Sequence, residues 1–245
     1  MKRKEFPPTE ASVELTEADW NQGFAVELEK QRPKGEPSEQ GKNIDWWHFT
    51  AYAKSLASFD RLRAQELIKE EDKAAAVNDF NKLAAGNEKN KWWDLPIYAA
   101  RLKELNWYEP VFSDSDWEQF AKEIQEQRQE QRNENELWQL VFYVSQLNSL
   151  GQTKAKDLMQ EKDWAAVPVA LAKIADSNEE NSSLLALEME NNLFKIDAAK
   201  GMEFLNPEHI NDVIKRAGEL KQVGDWWLSA QYLEAGLVAR KNLVG

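Results

Sequence analysis

Apolar residues in this chain recur with a helical period, in two templates that alternate along its length. The first reads Trp-Trp or Leu-Trp, four residues, then Tyr: Trp46-Trp47 with Tyr52, Trp92-Trp93 with Tyr98, Leu137-Trp138 with Tyr143, and Trp226-Trp227 with Tyr232. Leu184-Leu185 fill the gap before the last copy, with Glu190 where the tyrosine would stand. With the first residue as position one and about 100° per residue, positions 1, 4, 7, 8, 11 and 14 fall within an arc of about 140°. In the first copy these are Trp46, Phe49, Tyr52, Ala53, Leu56 and Phe59, and in the second Trp92, Leu95, Tyr98, Ala99, Leu102 and Leu105. That spacing predicts a helix with one core-facing stripe. The last copy places Ser229 and Gly236 on its stripe, which reads as a degraded terminal unit with one flank in water.

The second template precedes the first in each unit: an apolar residue, a cap-like residue, two variable residues, Asp, then usually Trp. Leu15-Thr16 with Asp19-Trp20, Phe112-Ser113 with Asp116-Trp117 and Met159-Gln160 with Asp163-Trp164 are the clear copies. Ile68-Lys69 with Asp72 and Leu205-Asn206 with His209 are the weaker ones. A cap residue followed three positions later by an acid satisfies orphan backbone donors reciprocally. The flanking apolar residues form a hydrophobic staple, and Pro207 suits the first helical position. Each copy therefore predicts the start of a helix A, and each Trp pair the start of a helix B.

The A starts at 15, 68, 112, 159 and 205 divide the chain into repeats 15–67, 68–111, 112–158, 159–204 and 205–245. The long first step contains the Pro- and Gly-bearing stretch 32–43, an irregular connection. Residues 1–14 read as a flexible N-terminal segment, and the whole of 1–245 as a single domain. No stretch alternates as a strand would, so the expected class is all-α. The polar run Glu126–Glu136 reads as the solvated end of a helix A.

Composition then limits the chemistry. There is no Cys, which excludes disulfides and thiolate chemistry. The net charge of −12 opposes a phosphate backbone and suits a basic partner protein. Lys2, Arg3 and Lys4 are followed by Glu5, Pro7, Pro8 and Glu10, so no signal peptide is read, no membrane span follows, and a cytoplasmic location is expected. The four template aspartates are assigned to capping, not to a metal. Asp114, Asp116 and Glu118 lack the Gly and final Glu of a calcium loop. His48 and His209 stand far apart, and no phosphate loop, nucleophile elbow or catalytic triad appears. No catalytic residue, metal or cofactor is expected.

Paired helices with a period in the forties, covering nearly the whole chain, resemble the HEAT-like and armadillo-like α-solenoids. The resemblance implies a right-handed, curved stack of about five two-helix repeats, with one helix layer lining an inner surface that binds another macromolecule. Trp92-Trp93-Asp94 also looks like the Trp-Trp-Asp of the HEAT-like DNA glycosylases that excise alkylated bases, which would give those residues lesion-contacting and excision roles. The acidic charge is at odds with the basic groove of that family.

Two readings of the second Trp in each pair follow. Either Trp47, Trp93, Trp138 and Trp227 fill the grooves between repeats, or they form an exposed ladder that anchors a partner. The ladder, with its neighbours Asp94 and Gln139, defines the expected partner-binding residues. The leading expectation is a non-enzymatic protein-binding repeat protein, with an immunity-type inhibitor of a cationic protein as its narrower form. The alternatives are the glycosylase and a self-associating scaffold segment.

Overall fold

The computed structural model of the chain describes residues 13–33, 46–87, 90–130, 137–151, 157–177 and 181–244. Residues 1–12, most of the 32–43 connection and residues 131–136 of the polar run lie outside the described residues. Among those described, every regular element is helical, and the class is all-α. A π-helical turn, Asp19–Phe24, runs into α1 (Ala25–Gln31). Then come α2 (Trp47–Phe59), α3 (Arg61–Leu67), α4 (Glu70–Ala85), α5 (Lys91–Glu104), α6 (Asp114–Glu130) and α7 (Leu137–Ser149). They are followed by α8 (Glu161–Asp176), α9 (Ser182–Ile196), α10 (Ala198–Gly201), α11 (Pro207–Gln222) and α12 (Trp226–Val244).

The caps form as the spacing requires. The Thr16 amide donates to Asp19 at 2.7 Å and the Asp19 amide returns to Thr16 Oγ1 at 3.2 Å. Ser113 and Asp116 repeat this at 2.8 and 3.3 Å. Asp72 accepts the Lys69 amide at 2.9 Å and Asp163 the Gln160 amide at 2.8 Å. Two short helices were not anticipated. Asp60 and Asp197 each end a helix B and at once cap α3 and α10, accepting the amides of Arg63 and Ala199 at 3.1 Å.

Helices α2, α5, α7, α9 and α12 pack side by side in that order, and α12 packs in turn on α2. The row is therefore closed into a ring, with the second helix of each pair inside. The first helices lie outside, each against its own partner. The π turn, α6, α8 and α11 also touch the inner helix of the preceding pair, which for the π turn is α12. Where a curved row of repeats was expected, the two ends of the row also meet among the described residues. Period and stripe are the same for an open and a closed array, and only the small rotation between neighbours decides which forms.

The contacts that close the ring are those used elsewhere in it. Trp93 stacks on Tyr143 of the next pair, centroids 4.7 Å apart, and Trp227 stacks on Tyr52 at 5.2 Å. Tyr143 donates to the carbonyl of Trp92 at 2.5 Å, and Tyr52 to that of Trp226 at 3.3 Å. Arg32 and Arg128, at or near the ends of first helices, reach the capping Asp72 and Asp163 of the next pair at 2.7 and 2.5 Å. Lys221 reaches Asp19 in the same way at 3.0 Å.

The last pair is accordingly no degraded end unit. Ser229 is wholly buried, donating to the Ala217 carbonyl at 3.0 Å. A Cβ on Gly236 would come within 2.4 Å of Ile214. Small residues on this stripe let α12 lie close against α11.

Candidate functional site at the ring centre

Residues at equal template positions on neighbouring inner helices meet. Lys54 and Glu234, both at the ninth position, lie 2.6 Å apart. Ser145 and Asn192, also ninth, are hydrogen bonded at 2.7 Å, and Asn148 donates to the Lys195 carbonyl, both twelfth, at 2.6 Å. The inner helices are thus parallel and in register. A residue's position along its helix sets its depth in the ring, and its helical phase sets whether it faces the core or the bore.

The bore-facing phase begins with the second Trp of each pair. Trp47, Trp93, Trp138 and Trp227 occupy the first turn of their helices and so gather around one end of the bore, together with Asp94 and Gln139. All six are half-buried. Trp47 meets Tyr98 edge-on at 5.7 Å, while Trp93 and Trp227 stack as described. Trp138 faces the pair that carries Glu190 in the tyrosine position, and among the described residues no ring stacks on it. The tryptophans therefore fill the grooves between pairs and also leave part of each ring open at that end. Trp92 packs against Phe120 at 5.8 Å with the Lys91 ammonium 4.9 Å over its ring, so both rings of the Trp-Trp-Asp motif serve inter-pair packing.

One to three turns deeper lies a belt of charge that sequence reading missed. Lys54 bridges Glu234 at 2.6 Å and Glu104 at 3.5 Å, and Lys195 binds Glu104 at 3.1 Å. Ser55 donates to Glu234 at 2.6 Å and Ser149 to Glu104 at 3.2 Å. The belt draws on every inner helix. Burial alone would raise the Glu104 carboxyl, but Lys54 and Lys195 overcome it and hold its pKa down at about 2. Burial also opposes ionisation of Glu234, yet Lys54 and Ser55 keep its pKa below the usual range. Arg101 lies 4.1 Å over the Trp47 ring and donates to its carbonyl at 3.3 Å. Burial lowers its pKa to about 10, against the pull of Glu234 and Glu104.

Two recesses flank the belt and share Lys54, Lys195, Glu234 and Val238. One, of about 470 Å³, opens at the C-terminal ends of the inner helices, where Arg61 and Lys241 join its lining. Cations at that end offset the negative poles of helices that all point the same way. The other, of about 100 Å³, lies between α7, α9 and α12 and is lined by Phe142, Gln146, Glu188, Asn192 and Gln231 among others. Glu188 is open to water there but ringed by protein. Burial and the neighbouring Glu234 raise its pKa to about 7, with Lys54 opposing.

Among the described residues no three His, Asp or Glu side chains converge as metal ligands. None of the described helices is long and apolar enough to cross a membrane. His48 is exposed at the aromatic end, 6.2 Å from the Trp227 ring. His209 is bound to Glu190 at 2.7 Å. No protein family, curated protein or solved structure matches the chain.

Proposed function

We propose that the chain is a non-enzymatic binding protein, made of five copies of one two-helix module closed into a ring, that docks a basic partner protein on its tryptophan-bearing end. The observation that carries this is the gathering of four half-buried tryptophans at one rim of a molecule with a net charge of −12. Trp is enriched at the anchoring centres of interfaces, and opposite charge speeds encounter. Closure hides the inner helices' length from any macromolecule, so the rim takes over the role expected of an extended groove. The belt supports a binding role over catalysis, because its strongest charges are engaged with one another. In its narrower form the protein masks a cationic surface on a protein that would otherwise act on nucleic acid.

Trp138 tests the reading, because it sits on the rim without a stacked tyrosine. Wild type and Trp138→Ala are compared for retention of basic proteins of the source cell at low salt, with folding checked by near-ultraviolet circular dichroism. A folded variant that loses a salt-sensitive partner held by wild type supports the proposal. Equal retention by both proteins, or none by either, refutes it.

A further inference from the structure

The small recess beside the belt holds a carboxylate, Glu188, that has no ion-pair partner among the described residues. The bore contains Glu104, Glu188 and Glu234 against Lys54, Lys195 and Arg101. Lys54 is spent on Glu234 and Glu104, and Lys195 on Glu104. Arg101 is turned to the ring and carbonyl of Trp47. Among the described residues no cation lies within ion-pair distance of Glu188. Around it stand the amides of Gln146, Asn192 and Gln231. Gln146 uses its NH₂ on Ser145 at 3.1 Å, which leaves its carbonyl oxygen to accept. Phe142, Ala235 and Val238 give the same recess an apolar flank.

We propose that this recess binds a primary alkylammonium group, supplied by a lysine side chain of the basic partner. The three N–H donors of an ammonium match one carboxylate and two amide oxygens, and its methylenes match the apolar flank. The volume of about 100 Å³ holds roughly three waters at about 30 Å³ each, or a chain of about five heavy atoms. Lys54 and Lys195 line the same recess but are engaged by Glu234 and Glu104, so the charge left to meet a ligand is that of Glu188. Glu188 lies three residues beyond Leu185, which holds the rim position on α9, so it sits about 4.5 Å deeper along the helix axis. That depth is within reach of a lysine side chain.

The charged groups that line the recess with Glu188 are Lys54 from α2, Lys195 from α9 and Glu234 from α12, beside Gln146 from α7. Glu188 gains its charge between pH 6 and 8, so affinity for an ammonium rises about tenfold across that interval. The experiment is calorimetric titration of the whole protein with n-butylammonium chloride at pH 6 and pH 8. Wild type should show the rise; Glu188→Gln should lose it and bind at least about tenfold more weakly at pH 8, with Glu188→Asp intermediate. Affinity that Glu188→Gln leaves unchanged, or acetate bound as well as the amine, overturns the site. Nα-acetyl-lysine methylamide is titrated beside it, and its exclusion while n-butylammonium binds overturns the lysine assignment. In its lysine form the inference rests on the partner reading, yet the two fail separately: the Trp138 comparison addresses the partner and the amine titration addresses the recess.

Discussion

At the scale of single residues, burial and charge act in opposite directions on two carboxylates of the same bore. Glu188 has its pKa raised to about 7, so between the unfolded value near 4.5 and 7 the folded state binds more protons than the unfolded one. Stability from this group is present below that window and falls as pH rises through it. Glu188→Gln, which stays neutral, should lose less stability between pH 5 and 8 than wild type, measured by urea midpoints. Glu104 behaves inversely: its contribution is present above 4.5 and disappears as pH falls toward 2, so Glu104→Gln should shift acid unfolding to higher pH. The rim tryptophans separate in the same manner. Trp93, stacked on Tyr143, should cost about 3 kcal/mol on change to Ala, and Trp138, with no stacked ring, distinctly less, by thermal unfolding.

At the scale of the helix, one capping motif has different values in different places. Asp163 is buried with Arg128 2.5 Å away, both under 10 % exposed, whereas Asp116 caps α6 with Ser113 near the surface. Asp163→Ala strands a buried guanidinium as well as an amide and should cost about 3 kcal/mol or more, while Asp116→Ala should cost about 1 kcal/mol. The fourth and fifth pairs depart from the templates twice, and the departures compensate. Glu190 replaces a tyrosine and His209 a capping aspartate. Glu190 then accepts the Asn206 amide at 3.0 Å, as the aspartate would, and His209 Nδ1 lies 2.7 Å from its other oxygen. The hydrogen bond to Glu190 raises the His209 pKa above 6.5 in spite of burial. Its stabilising effect is full below 6.5 and is lost as pH rises through the folded value. Proton NMR should find the His209 pKa lowered in Glu190→Gln. The caps were legible in the sequence because they are local, set by residues three apart. The Glu190–His209 exchange was not, because it joins positions 19 residues apart on different pairs.

At the scale of the molecule, periodicity gave the all-α class and the core stripe but could not distinguish a row from a ring. The bore was half visible: Lys54, Glu104 and Glu234 share the helical phase of the second tryptophans and Glu188 and Lys195 fall between it and the core stripe, but polar residues off a core stripe read equally well as a solvated face. One of the contacts that close the ring can be tested by itself. The Trp226 ring lies on the π turn at Gly23, 5.1 Å from Phe24, as Trp92 lies on Phe120 in the middle of the ring. A Cβ on Gly23 would stand 2.5 Å from three atoms of that ring, an overlap that only movement of α12 or of the indole can relieve. Gly23→Ala should therefore destabilise the protein by about 1–3 kcal/mol, although alanine in a helix interior is otherwise worth up to about 1 kcal/mol over glycine. Trp226→Leu, itself destabilising, should make room for the methyl, so that Gly23→Ala in that background becomes neutral or favourable. A double-mutant cycle in urea returning simple additivity would mean that the seam between the first and last pairs does not hold the ring shut.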